Sequence, residues 1–478
     1  MRRFITILII LLSLCSEKSQ ATHAVGADLT YQCLGGNNYR FFFTLYRDCT
    51  GIAVSPQYTF NATSSCGDNI NFQVILDSSI EVPHTCQTAI TNCDNVASPI
   101  MGVEANYYHG DIILPSVCNF WSFGISPSIC NRNAAITTLF PSAITYCLYV
   151  VATLNNDAVQ CNNSPSFSNV PVQFLCANQV QYFVQAAYDI DGDSLTYQMI
   201  TPHADALSDV QYVPGLSATQ PVQYIDSTIF NSQTGDIRFH ANGAQTTVVA
   251  IQINEYRNGV LIGSVERDIE LIFENCTNNI PTASGINGTA FYTTHVCADS
   301  VVSFSINSSD IDAADQTYLS WDYGIPGAVF FTSGTHRDTG YFQWQPGMQD
   351  VGTQPHNFTV MVSDSACPTF GISLYSYSVY VDSCAFTTVP ENNNGFVTSN
   401  AFYSFSERLI SLNFKLMEAT GSVISLYDIA GRRLFVRSVP KQKDYNGNID
   451  VTSFSPGLYF LNINTDAGFT KTLKIVVE

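Results

Sequence analysis

Two turns carry the residues best suited to chemistry. YDIDGDSLTY runs from Tyr188 to Tyr197 and sets Asp189, Asp191 and Asp193 at alternate positions. A second stretch, SSDIDAADQTY, offers Asp310, Asp312 and Asp315. Carboxylates crowded on a turn after a strand suit Ca²⁺, a hard ion that takes about six to eight oxygen ligands. The first turn is not an EF-hand, because the Glu that closes such a loop is missing downstream. The same Asp and Gly residues also suit Asx-type turns, in which a carboxylate bonds its own backbone. No motif requires a cofactor, and Ca²⁺ is the one ion that the spacing suggests.

Catalytic patterns are missing elsewhere. H-E-x-x-H, G-x-S-x-G, G-x-x-x-x-G-K-[ST] and G-x-G-x-x-G do not occur. A paired-carboxylate hydrolase leaves no linear pattern, because its two acids meet only in three dimensions. The expectation is a protein that is not an enzyme. EYRNG (Glu255–Gly259) reads first as a hairpin, since Asn-Gly between apolar runs is a strong turn signal. Trp121, Trp321 and Trp344 are residue types that stack on sugars, although such rings more often fill cores.

Cysteine usage fixes the compartment. The chain begins MRRFITILIILLSLCSEKSQATHA, with Arg2 and Arg3 followed by an apolar run from Phe4 to Leu14. That run is too short to span a bilayer and has the layout of a secretory signal peptide, so residues 1–21 are assigned to it. Cleavage after Ala21 removes Cys15 and leaves Cys33, Cys49, Cys66, Cys86, Cys93, Cys118, Cys130, Cys147, Cys161, Cys176, Cys276, Cys297, Cys367 and Cys384. An even set in an exported chain reads as a disulfide framework. No C-x₂-C pair supports a metal site instead. Nine of these cysteines precede Leu175, so one bridge must leave that segment, and Cys176 is its nearest candidate.

Charge narrows the partners. Lys plus Arg number 19 and Asp plus Glu 39, a net charge of −20. Nucleic acid is excluded as a partner, since phosphate binding needs basic patches. No later stretch is apolar for long enough to span a membrane.

These residues must be positioned by strands. Tyr, Phe, Thr and Val are plentiful, which favours pleated sheets over helices. FVQAAYDIDGDSLTYQMI (Phe183–Ile200) parallels FSINSSDIDAADQTYLSW (Phe304–Trp321), and TGDIRFHA parallels TGYFQWQP. The fold class expected is all-β. A cysteine-rich β-domain covers 22–175, two tandem Ig-like sandwiches cover 176–278 and 279–386, and a polar linker covers 387–400. A small cysteine-free β-sandwich covers 401–478. It closes on two alternating strands around Thr465-Asp466-Ala467-Gly468, a hairpin pattern.

VISLYDIAGRRL (Val423–Leu434), PGLYFLNI (Pro456–Ile463) and KTLKIVV (Lys471–Val477) resemble the type A C-terminal sorting domain of the type IX secretion system. THAVGADLTYQC, RNAAITTL, YDIDGDSLTY and INEYRNGVLIGSVERDIELI are similar to stretches of large gliding-motility-associated and adhesin-like surface proteins of Bacteroidetes-type bacteria. The resemblance implies a terminal β-unit read by the secretion machinery, with Gly457, Leu458, Tyr459, Gly468, Lys471 and Lys474 as its signal residues. It also implies release, or attachment to surface lipopolysaccharide. The function expected is adhesion, binding or display at the cell surface, towards an extracellular glycan or protein. The alternative is a secreted carbohydrate-active protein, lectin-like or hydrolytic.

Overall fold

The computed structural model describes residues 23–86, 88–168, 174–352, 354–383, 395–404, 408–429 and 431–477. The signal peptide, Cys384 and linker residues 387–394 lie outside the described residues. Among the described residues every regular element is a β-strand apart from three short 3₁₀ turns, in keeping with the composition. The chain forms two compact units, residues 1–383 and 384–478.

One strand organises the first unit. Val260–Glu274 pairs along one whole edge with Gln245–Arg257, across the Asn258-Gly259 turn. Asn258 and Gly259 both take positive φ, 54° and 77°, the geometry that makes Asn-Gly a tight hairpin. The opposite edge is shared end to end by three strands of the cysteine-rich segment. Val151–Leu154 pairs at Gly263–Val265, Ala24–Gly35 at Arg267–Ile269 and Phe174–Cys176 at Ile272–Glu274. From Ala24–Gly35 the sheet runs through Asn38–Asp48, Val103–Ile113, Asn69–Glu81, Gln57–Ser64 and Trp121–Ile125 to Val151–Leu154, so it closes on the central strand.

The boundary expected at 175/176 therefore falls inside one sheet and one core. Phe41, Phe60, Trp121 and Phe123 from before it pack in the same cluster as Phe183, Ile237, Ile253 and Phe273 from after it. A stretch spanning 22–175 cannot close its own sheet, because the strand that joins its two ends arrives about a hundred residues later. Residues 279–383 make a separate sandwich with its own core around Phe304, Phe342, Phe358 and Val379. Its two four-stranded sheets are built on Val302–Ser309 with Thr339–Trp344, and on His356–Ser363 with Ile372–Asp382. Trp121 and Trp344 are buried core residues, and Trp321 packs partly buried against the second core.

Among the described residues six bridges have both partners in view: Cys33–Cys161, Cys49–Cys93, Cys66–Cys118, Cys86–Cys367, Cys130–Cys147 and Cys176–Cys276. Cys297 is disulfide-bonded as well. The bridge that leaves the first nine cysteines is Cys86–Cys367, not one from Cys176. Cys176 stands 5.4 Å in Cα distance from Cys276, because the parallel pairing of Phe174–Cys176 with Ile272–Glu274 delivers them side by side.

The second unit is a sandwich on two long strands, Leu409–Asp428 and Arg433–Asp450, which pair with each other. Phe396–Ser404 adds beside the first half of Leu409–Asp428, and Gly457–Thr465 beside its second half. Thr470–Val477 completes the hairpin with Gly457–Thr465. Tyr459, Leu461 and Ile463 face the core, as their alternation requires.

Candidate functional site

The acidic turn and the Asn-Gly hairpin meet. Strand Gln245–Arg257 buries Val249, Ile251 and Ile253, and the same alternation carries Glu255 inward with no exposure. Opposite it, Asp189 Oδ1 accepts the backbone N–H groups of Asp191 and Asp193, each at 2.9 Å, so the turn is an Asx-type turn. Gly192 takes φ +80° within it. One oxygen each from Asp189, Asp193 and Glu255 lies within 4.8 Å of the others.

Neighbouring groups only partly compensate this charge. Arg257 donates to both oxygens of Asp193, at 2.7 and 2.5 Å, and reaches Asp191 Oδ2 at 3.4 Å. Asn162 Nδ2 donates to both oxygens of Glu255, at 2.9 and 2.8 Å. Asn163 holds the Asp191 carboxylate through its backbone N–H and side-chain amide, at 2.9 and 2.8 Å. Both asparagines follow Cys161, whose bridge to Cys33 pins the loop to the Ala24–Gly35 strand. Gly263 keeps the cluster open on its far side. A Cβ there would come within 2.6 Å of the Tyr31 hydroxyl and 3.0 Å of Glu255 Oε2.

Asp189 Oδ2 is buried with no hydrogen-bond partner. Burial, with the Asp193 and Asp191 charges adding, pushes the Asp189 carboxyl up to about 6. Burial and the Asp189 charge push Glu255 up to about 10. An orphaned carboxylate oxygen beside two more carboxyl groups fits a hard cation, and Asp189, Asp193 and Glu255 are the residues that would hold it. The third sequence candidate, Asp191, is turned away to Asn163 and does not join them. Glu255 takes its place. Its signal was an acidic residue at an inward position of an otherwise apolar alternating strand, beside the stronger turn signal of Asn258-Gly259.

The second turn does not gather its acids. Asp312 accepts from the backbone and side chain of Asn279, and Asp310 Oδ1 caps the Asp312 N–H. The guanidinium of Arg337 donates to the backbone carbonyls of Asp310, Asp312 and Asp315 and sets a fixed cation at this turn, where Asp310 Oδ2 is buried without a hydrogen-bond partner. Among the described residues Asp310, Asp312 and Asp315 form no metal-binding set.

A second concentration of charge has a different role. In Val260–Glu274, Glu266, Arg267, Asp268 and Glu270 are at most 3% exposed. Arg267 forms a bidentate pair with Asp28 and lies 3.5 Å over the Phe167 ring. Asp268 takes Arg132 at 2.9 and 2.5 Å, and Glu270 accepts from Asn133. Glu266 approaches His203, which its hydrogen bond and that of Asp209 help push up to about 9. Asp28 of ADLTY and Arg132 and Asn133 of RNAAITTL, far apart in sequence, are thus the partners of Arg267, Asp268 and Glu270 in SVERDIELI.

In the second unit Tyr459 is buried and donates its hydroxyl to the Ser455 carbonyl at 2.6 Å. Gly468 takes φ +80° in the tip of the closing hairpin, where its N–H reaches the Thr465 carbonyl at 2.9 Å. Leu458 pairs with Val476, while Lys471 and Lys474 stand on the last strand opposite Ile463 and Phe460. Gly457 opens the hairpin opposite Val477.

Among the described residues no helix is long and apolar enough to cross a membrane. No curated protein matches the chain. Among solved structures it is similar to Dpr2 Ig1–Ig2 in complex with DIP-Theta Ig1–Ig3, at 11% identity and TM-score 0.19, covering 46% of this chain and 98% of that one. The tandem Ig repeats of Dlar align at 10% identity and TM-score 0.19, with the same coverage. Dimeric latent PorU from Porphyromonas gingivalis aligns at 11% identity and TM-score 0.15, covering 64% of this chain and 32% of PorU. Residues 406–478 match the family model described as a secretion system C-terminal sorting domain. The last unit thus carries the sorting domain that marks this all-β, modular chain for type IX export to the cell surface.

Proposed function

We propose that the exported body is a non-catalytic binding module of the cell surface, with adhesion as its work. The observation that carries this reading is the fate of its charges. On the central strand Arg267 and Asp268 are locked in buried ion pairs with Asp28 and Arg132, Glu266 approaches His203, and Glu270 accepts from Asn133. A groove of about 320 Å³ between Ile52–Thr59 and Ser126–Cys130 has no carboxylate, histidine or free thiol in its lining. Catalysis asks for the reverse, titratable groups poised in a cleft.

Ca²⁺ at Asp189, Asp193 and Glu255 would serve stiffness rather than reaction. It would supply positive charge to a buried acidic corner and tie the Gln245–Glu274 hairpin to the Asp189–Asp193 turn. Attachment of the exported protein to the cell's own surface lipopolysaccharide, or its release, belongs to the same reading of the sorting domain.

The test is a deletion strain. Cells lacking the chain should lose attachment to a glycan- or protein-coated surface and regain it with the wild-type gene. Purified protein should leave a panel of chromogenic glycosides intact. Turnover that vanishes on changing one carboxylate would replace this reading with the hydrolytic one.

A further inference from the structure

The sandwich at 279–383 turns an uncharged, ring-bearing face to solvent. Strand register sets Phe331 opposite Tyr341 and Tyr341 opposite Ser305. The next row sets Val329 opposite Gln343 and Gln343 opposite Ser303. Period-two alternation buries Phe342 between these rows and leaves their side chains outward. Phe331 is 57% exposed and Tyr341 39%. Their rings stack at 5.1 Å between centroids and 21° between planes.

Two stacked rings held in water, when Phe304, Phe342 and Phe358 of the same module are buried, call for a ligand. The two rows hold three apolar side chains, Phe331, Tyr341 and Val329, against the roughly 20–30 residues a side of a stable protein interface. What surrounds the rings is amide and hydroxyl, namely Gln343, Ser303 and Ser305.

Charge settles the class. From Thr22 to Asn400 the chain has no lysine and seven arginines against 31 Asp and Glu. Each arginine is already engaged: Arg40, Arg47, Arg132, Arg238, Arg257 and Arg267 with carboxylates, and Arg337 with backbone carbonyls. An acidic body without a spare cation repels polyanions over a Debye length.

We propose that this face binds uncharged polysaccharide. Pyranose C–H faces lie on the Phe331–Tyr341 stack, and ring hydroxyls bond Gln343 and the two serines. The proposal rests on the binding reading above and names its ligand class.

Affinity electrophoresis of the full chain tests it, with hydroxyethylcellulose and laminarin as uncharged probes and polygalacturonate as the anionic control. An uncharged probe should retard the wild type, and polygalacturonate should not. Phe331→Ala/Tyr341→Ala should weaken binding by about tenfold or more, the equivalent of one lost ring stack. Both rings are exposed, so the melting temperature should hold. Gln343→Lys keeps both rings and should bring polygalacturonate binding closer to that of the neutral probes. No retardation by either uncharged probe overturns the proposal. Equal retardation of wild type and the double variant overturns it too, but leaves a surface binder with another site. A concentration-dependent dimer in sedimentation that the double variant abolishes would assign the face to a second copy and also overturn it. Hydrolysis of either probe would instead overturn the non-catalytic reading.

Discussion

Arg132→Met asks whether the buried charges hold the body together. Arg132 and Asp268 are 1% and 2% exposed in their side chains, and two guanidinium nitrogens reach the carboxylate. Arg132 also donates to the carbonyls of Cys147 at 3.0 Å and His203 at 3.2 Å. Methionine fills much of the volume and returns none of these bonds. The Asp268 carboxylate would stay buried without its counter-charge, with the Glu270 carboxyl on the same strand. Breaking such a pair from one side costs about 3–5 kcal/mol. The matching surface pair, Arg40–Asp111, is also bidentate, at 2.7 and 2.9 Å, but its side chains are 38% and 45% exposed. Arg40→Met should leave the unfolding midpoint nearly unchanged.

Urea unfolding at pH 7 with disulfides intact measures both. In a Trp321→Phe/Trp344→Phe background, Trp121 alone reports the core that contains it. Arg132→Met/Asp268→Leu should recover most of the loss, because an apolar pair of similar volume removes the unpaired charge. Equal costs for Arg132→Met and Arg40→Met, or a loss under about 1 kcal/mol for the former, would refute the reasoning.

The acidic cluster gives a pH-linked prediction. Folded values of about 6 for Asp189 and about 10 for Glu255 lie above those of free carboxyls, so without a cation the cluster lowers stability as pH rises from about 4 towards them. Millimolar Ca²⁺ should therefore raise the melting temperature at pH 8 and do little at pH 5, and Glu255→Gln should remove that response. An unchanged melting temperature at pH 8 rejects the site, whereas Asp312→Asn should leave the response intact. For export, deleting 401–478 should trap the body in the periplasm, and Gly468→Val, which forces a β-branched residue to φ +80°, should lower surface delivery. Normal surface levels in the deletion would show that another segment carries the address.

Periodicity and composition made much of this chain legible. Alternation in Tyr459–Ile463 and Asn-Gly at 258–259 follow from local backbone preference, which neighbours in sequence settle. The sorting unit was legible for the same reason, since its three motifs lie on adjacent strands of one small sandwich. The export signal and the even cysteine set defined the compartment without reference to any contact.

The tertiary structure alone decided which residues share a place. Closure of the first sheet on Val260–Glu274 cannot be read locally, because pairing Asp28 with Arg267 spans 239 residues. The same closure seals both faces of that strand, which is why SVERDIELI, polar enough to be read as solvated, is buried with its charged residues bonded inside the fold. Asp189, Asp191 and Asp193 looked equivalent as a string. Only the fold, by bringing Asn163 to one and Glu255 to the other two, separated a buried acidic corner from an ordinary turn.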